Sequence, residues 1–135
     1  MKQRSSRLKA FTLTELLVVL VIIGILTLIA LPNLMPLIAK THSLEAQQAL
    51  STIQKLQRSF HQMHVKYTDD LLELGFEPEK TVPEGGKAKY NVSIVSASPS
   101  AFVAKAIAVV DFDQDGTFNE WEIDQSGNLR ELVKD

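Results

Sequence analysis

The stretch that decides the fold is FTLTELLVVLVIIGILTLIALP, Phe11 to Pro32, close to the N-terminus. From Phe11 to Leu31 it is apolar except for three threonines, one glycine and one carboxylate, Glu15. A helix of about 21 residues is roughly 31 Å long, which matches the hydrocarbon core of a bilayer. The stretch predicts one membrane-spanning helix. Glu15 needs an explanation, because an unpaired carboxylate at membrane depth costs about 2.5 kcal/mol or more.

A short basic segment precedes the apolar stretch. Residues 1–10, MKQRSSRLKA, contain two lysines and two arginines and no acid. By the positive-inside rule, this segment keeps the N-terminus in the cytoplasm and directs the rest of the chain to export. A cleaved secretory signal is the alternative, but no small-x-small cleavage site comes after the apolar run. We therefore expect a retained membrane anchor.

Two explanations are open for Glu15. Its side chain could snorkel to the headgroups near the start of the helix, or it could pair with a cation at the same depth. The apolar run contains no Lys, Arg or His. The positive charge available there is an α-amine, which would appear on Phe11 if the chain were cut after Ala10.

This N-terminus resembles the class III signal of type IV pilins and of the pseudopilins of type II secretion systems. The matching features are the basic leader, Phe11 as the first mature residue, Glu15, Gly24 and Pro32. The resemblance implies that a prepilin peptidase removes residues 1–10 and methylates the new amine of Phe11. It also implies that Glu15 neutralises the amine of a neighbouring subunit during filament assembly. Ala10 departs from the glycine usual before the cut and is its nearest steric substitute.

The rest of the chain predicts an amphipathic helix followed by strands. Apolar residues recur at steps of three and four, and polar residues such as Gln57 lie largely between them. The apolar positions are Leu50, Ile53, Leu56, Phe60, Met63 and Tyr67, and the helix should end near His64. Pro32 and Pro36 should bend or loosen the long helix that joins the apolar and amphipathic segments. A short helix is expected in TDDLLELGF, residues 68–76. Strands are expected at 90–95, 102–110, 121–123 and 128–132.

These elements predict an α+β protein with one long N-terminal helix and a small antiparallel sheet. Residues 11–35 form the transmembrane and assembly half of the helix, and its amphipathic half packs on the sheet within a soluble head, residues 36–135. The ladle-shaped pilin fold that the resemblance implies has the same parts.

An acidic loop near the C-terminus has the spacing of a calcium site. DFDQDGTFNEWE, residues 111–122, fits D-x-D-x-D-G-x5-E, and calcium prefers six to eight hard oxygens from such a loop. The expected ligands are Asp111, Asp113, Asp115, Thr117 through its carbonyl, Asn119 and Glu122. Strand-like flanks instead of helices favour a structural ion over a sensor. The alternative is an exposed Asp-Gly turn whose acids only aid solubility.

Composition excludes several classes of function. The chain has no cysteine, so neither a disulfide nor a thiolate is available, and a cation could close the C-terminal loop instead. Net charge is -2, which predicts no nucleic-acid surface. No nucleophile with a base, phosphate loop or G-x-S-x-G occurs, so we expect no enzyme. His61 and His64 are one helical turn apart but form a weak metal motif without a third ligand. His42 is expected to be exposed.

The predicted function is structural. The main hypothesis is the major pseudopilin of a type II secretion system, which drives export of folded proteins. The alternatives are the major subunit of a type IV pilus and a membrane-anchored calcium-binding module that never polymerises. The resemblance implies four partners: copies of the chain itself, the prepilin peptidase, an inner-membrane assembly platform and minor pilins or pseudopilins. The expected location is the inner membrane with the head in the periplasm, then a periplasmic pseudopilus or a surface filament.

Overall fold

The chain forms one long helix followed by a four-stranded sheet. A computed structural model describes residues 10–135, apart from the side chains of Pro32, Asn33 and Met35. Helix α1 spans Leu13–His64 and a 3-10 turn spans Val82–Glu84. The strands are β1 (Tyr90–Ala97), β2 (Phe102–Ala108), β3 (Glu120–Asp124) and β4 (Leu129–Val133). The α+β fold class, the helix end and all four strands are confirmed.

The chain divides into two compact units between Leu34 and Met35. In the first, residues Leu13–Leu31 are long and apolar enough to cross a membrane, and none of this segment is buried. Its large apolar side chains are about half exposed or more on every side. A helix that is apolar all round needs an apolar environment on all sides. The membrane-spanning prediction therefore fits the exposed surface of this segment.

Helix α1 stays α-helical through positions 32 and 36. The side chain of Pro32 lies outside the described residues, and so do leader residues 1–9. The predicted bend near the two prolines stays a prediction.

In the second unit, the amphipathic part of α1 packs on one face of the sheet. The strands follow the order β1-β2-β3-β4 and all neighbours are antiparallel. The core joins Leu50 and Ile53 of the helix to Phe102 and Ile123 of the sheet. The inward positions of β2 also carry alanines, which let a helix lie close to the sheet and keep this face apolar: Ala104, Ala106 and Ala108.

The short helix predicted at residues 68–76 does not form. Residues 68–76 form a single turn, because Asp70 accepts a hydrogen bond from the Leu72 amide (2.9 Å). The turn closes when Phe76 N donates to Leu71 O (2.9 Å) beside Gly75 at φ 76°.

Gln57 was predicted on the polar side of the helix but is 0% exposed. Its amide donates to the Thr68 carbonyl (2.5 Å) and accepts from the Thr68 N–H (3.2 Å). A buried polar side chain needs such partners, and here they tie the chain after α1 back to the helix. Met63, predicted in the apolar stripe, is 70% exposed.

Candidate functional site

The N-terminal end of α1 has a hydrogen-bonded cap. Glu15 Oε2 accepts from the Thr12 backbone N–H (3.0 Å) and from the Thr12 hydroxyl (3.1 Å). The Glu15 N–H donates to Thr12 Oγ1 (3.2 Å) in return. This reciprocal pair is a capping box, which satisfies backbone donors that a helix start leaves free. The pattern T-x-x-E at residues 12–15 is the sequence signal for this box.

The capping box gives Glu15 a local role but no charge partner. Thr12 supplies neutral donors, and within residues 10–135 no Lys, Arg or His forms an ion pair with Glu15. Phe11 is 84% exposed and Ala10 is exposed beside it. Among residues 10–135 of one chain, the carboxylate therefore has no cationic partner, which is compatible with the pairing hypothesis.

Gly24 lies on the open surface of the apolar helix. A Cβ added there would meet no atom of the described chain within 4 Å. Packing within residues 10–135 of one chain therefore gives no reason for a glycine at this position. If Gly24 is required, the reason is a close approach by another molecule.

The acidic loop brings three of the predicted ligands together. Asp111, Asp113 and Asp115 each offer a carboxylate oxygen, and these oxygens lie within 4.8 Å of one another. The loop backbone is held by Asp111, which accepts from Gln114 N (2.6 Å) and Gly116 N (2.8 Å). Gly116 has φ 90°, a conformation that favours glycine. Clustered hard oxygens of this kind suit a divalent cation.

The structure does not bring all of the other predicted ligands into this group. Thr117 adjoins the cluster, and its N–H donates to Asp115 Oδ1 (2.7 Å). Asn119 is 1% exposed; its Oδ1 accepts from the Tyr90 hydroxyl (2.8 Å) and its Nδ2 donates to Glu131 (2.7 Å). These partners occupy Asn119 within the sheet.

Glu122 also has partners outside the loop. It lies in β3, where it pairs with Arg130 (2.6 Å) and lies 3.9 Å from Lys105. Strand alternation explains this, because Glu122 is opposite Lys105 in β2 and Arg130 in β4. A bidentate role for Glu122 would require breaking these ion pairs.

Asp135, which follows β4, contacts the acidic loop from outside the twelve-residue motif. Its carboxylate accepts from Phe112 N (3.0 Å) and Asp113 N (3.1 Å). Partial loss of hydration, with the carboxylates of Asp115 and Asp135 nearby, raises the pKa of Asp113. Since Asp135 is distant in sequence and outside the twelve-residue motif, the spacing pattern had no means of including it.

His42 packs against the acidic loop, although the sequence placed it in solvent. Its ring stacks on Phe112 with centroids 4.8 Å apart, and Lys89 Nζ lies 2.9 Å from both ring nitrogens. Burial and the Lys89 ammonium lower the pKa of His42, while Glu45 opposes them. These contacts join α1, the start of β1 and the loop.

The histidine pair His61 and His64, considered above as a weak metal motif, contacts protein groups. His61 Nε2 lies 3.0 Å from the Pro99 carbonyl oxygen and the His61 ring stacks on Tyr67. His64 packs against Phe60. These contacts fit packing of the helix end against the β1–β2 connection.

The buried Tyr90–Asn119 pair carries a stability prediction. Tyr90→Phe leaves a buried acceptor on Asn119 unpaired, so the free energy of unfolding should fall by about 1–3 kcal/mol. Chemical denaturation of the head at pH 7 measures this change. Tyr67→Phe removes a hydroxyl that has no hydrogen-bond partner within residues 10–135 and is the matched control. Equal losses in both variants would contradict the role of the pair.

The same tyrosine predicts a pH dependence. Burial raises the pKa of Tyr90 to about 12, whereas an unfolded chain ionises tyrosine near pH 10. The neutral hydroxyl is thus favoured by folding, and its contribution is fully present below about pH 10 and lost as pH rises toward 12. The melting temperature of Tyr90→Phe should fall less over that interval than that of the wild-type head.

Comparison with known proteins bears on the N-terminus first. Residues 5–31 match the family model described as the prokaryotic N-terminal methylation motif. The chain is also 39% identical over 87 residues to the type IV major pilin protein PilA of Myxococcus xanthus. This similarity covers 64% of the chain and 38% of that protein. The chain therefore spans about two fifths of the length of this relative.

Proposed function

Because the methylation motif and the similarity to a type IV major pilin both support the type IV pilin family for this chain, we propose that the protein is a structural subunit of a helical filament. The observation that carries the proposal is the first half of α1. It is apolar on every side and uncovered within the described chain. A bilayer can cover such a helix before assembly, and a bundle of identical helices can cover it afterwards.

The proposed mechanism starts at the junction between Ala10 and Phe11. A prepilin peptidase cuts there, and the amine of Phe11 becomes a methylated cation. Glu15 of one subunit then neutralises this cation on its neighbour as the helix enters the bundle. In an apolar medium, a pair of opposite charges costs less free energy than the same two charges kept apart. Assembly, which brings them together, is therefore favoured over separate subunits in the membrane.

Different observations favour the two candidate filaments. The lack of cysteine and the acidic loop favour the predicted major pseudopilin of a type II secretion system. Similarity to a major pilin favours the subunit of a type IV pilus. Both candidates place the subunit in the inner membrane with its head in the periplasm before assembly. Both also use an assembly platform and minor subunits as partners.

Shearing cells of the native host separates the two filaments. A type IV pilin is expected in the sheared surface fraction, which an immunoblot detects with a deletion strain as the control. A pseudopilin is expected to stay in the envelope, and the deletion strain should then trap exported proteins in its periplasm. If the protein stays in the membrane as single subunits and both phenotypes are absent, it is the non-polymerising anchored module instead.

We propose further that the acidic loop binds one structural calcium ion. Three carboxylates that converge in a loop of tight turns support this proposal, and Asp135 adds a fourth carboxylate at its edge. The ligands would be Asp111, Asp113 and Asp115 with the Thr117 carbonyl, while water completes the shell. Asn119 and Glu122 would support the loop from the sheet, where they already have partners. The ion would offset the repulsion that these carboxylates otherwise share.

A catalytic role has no support. The type IV pilin family is structural rather than catalytic. The carboxylates of Asp111, Asp113 and Asp115 suit cation ligands better than a general acid and base, since they lie beside one another and accept hydrogen bonds from backbone N–H groups.

A further inference from the structure

Charges in the head are separated along the chain. The amphipathic part of α1 and the residue pair after it, 36–66, contain four basic residues and one acid, Glu45. Segment 69–84 contains six acids and one lysine, Lys80. One subunit thus presents a basic region and an acidic region that come from different parts of its fold.

The basic region is a stripe on the outer face of α1. Lys40, Leu44, Ser51, Lys55 and Arg58 recur at helical spacing, away from the buried Leu50 and Ile53. Lys55 and Arg58 are exposed and one turn apart, and neither has an ion-pair partner among residues 10–135. We call Lys40, Lys55 and Arg58 the basic stripe.

The acidic region borders a groove on another flank of the helix. The groove has a volume of about 330 Å³ and lies between α1 and the segment before β1. Its lining contains three glutamates against one lysine, Lys87, so that acids predominate. Glu77 and Glu79 line it together with the apolar surfaces of Phe76 and Ala49. Both glutamates are exposed and lack a hydrogen-bond or ion-pair partner in the described part of the chain. We call this feature the acidic groove.

We infer that the acidic groove of one subunit receives the basic stripe of a second copy of this chain. The two surfaces have opposite charge, and the stems of Lys55 and Arg58 can pack on the apolar floor while their charged ends meet Glu77 and Glu79. Since the surfaces differ and both occur on every copy, each contact leaves one of each free for the next subunit. Such a heterologous contact propagates into rings or open helices. The inference rests on the proposed filament function and assigns head residues to it.

Charge reversal tests the contact in cells that carry the assembly machinery. Lys55→Glu with Arg58→Glu should reduce the filament yield about tenfold, because each surface pair contributes a factor of up to about five and reversal adds repulsion. Glu77→Lys with Glu79→Lys should do the same. All four changes together should restore most of the yield. The matched control is Lys134→Glu, an exposed reversal outside both surfaces, which should leave the yield unchanged.

If wild type forms filaments and neither pair of reversals lowers their yield, the two surfaces do not meet. If both pairs lower the yield and the combination fails to restore it while the heads still melt as wild type does, these surfaces are not partners. If wild type itself forms no filaments, the proposed function fails and the inference fails with it.

Crosslinking supplies a readout that does not depend on yield. The chain has no cysteine, so the two thiols of the double variant Arg58→Cys with Glu79→Cys can react only with each other or with those of another copy. Oxidation of assembled material should give a ladder of dimers, trimers and longer species, and each single variant should stop at dimers or give none. Dimers alone from the double variant, or no ladder from normal filaments, would overturn the head-to-tail contact.

Discussion

Glu15→Val is expected to abolish filament assembly while the protein still inserts in the membrane. Removing one partner of a buried ion pair costs about 3–5 kcal/mol, because the other charge is left in an apolar medium. The yield of filaments should therefore fall by more than about a hundredfold. Immunoblots of sheared filaments and of washed membranes from the same cells measure assembly and insertion side by side.

The capping box makes a sharper version of this experiment possible. Glu15→Gln keeps a side chain that can complete the box with Thr12 but removes the charge. Thr12→Val removes the hydroxyl side of the box and keeps the charge. If charge neutralisation is the role of Glu15, Glu15→Gln should fail to assemble and Thr12→Val should assemble. The opposite pattern would mean that Glu15 acts by starting the helix.

Removal of calcium is expected to lower the melting temperature of the head by about 10 °C. A ligand at a hundred times its dissociation constant stabilises a protein by about 2.7 kcal/mol, which corresponds to a shift of this size in a domain of about 100 residues. The measurement compares thermal melts of residues 36–135 in millimolar calcium and in excess chelator. Folding of the head would then be completed where calcium is abundant, outside the cytoplasm.

Single substitutions locate the ion. Asp113→Asn should remove most of the calcium-dependent shift, whereas Asp69→Asn, an exposed acid outside the loop, should keep it. Glu122→Gln distinguishes the twelve-residue spacing from the observed geometry. If Glu122 supports the loop from β3, most of the shift should remain in that variant. Equal melts with and without calcium in the wild-type head would rule out a stabilising ion.

Patterns within one element were the easiest to read from the sequence. The end of α1 at His64 and the four strands follow from local periodicity and turn residues, which need no knowledge of the partner element. Gln57 was misplaced because its burial depends on Thr68, which lies beyond the helix end. Similarly, His42 gained its contacts from Phe112 and Lys89, which only the folded chain brings near.

In the candidate sites, too, local spacing could be read from the sequence and contacts between distant residues could not. The carboxylates of Asp111, Asp113 and Asp115 lie close together, since a short loop fixes their distances, and their role as ligands stays a prediction. The roles of Asn119 and Glu122 remain predictions, and their cross-strand partners could not be known before the register of the sheet. Asp135 illustrates the general limit, because a residue that joins a site from a remote position leaves no local pattern.

The order of the strands has a consequence for how quickly the head folds. In a meander each strand pairs with the next one along the chain, so every pairing in the sheet closes a short loop. Proteins with such low contact order fold faster than those with distant pairings. The amphipathic half of α1 comes before the sheet in the chain and continues from the apolar segment Leu13–Leu31. If the head is exported before it folds, as the proposed function requires, its sheet can form against a helix that is already present. This order would shorten the time in which unpaired strands could aggregate with those of neighbouring copies.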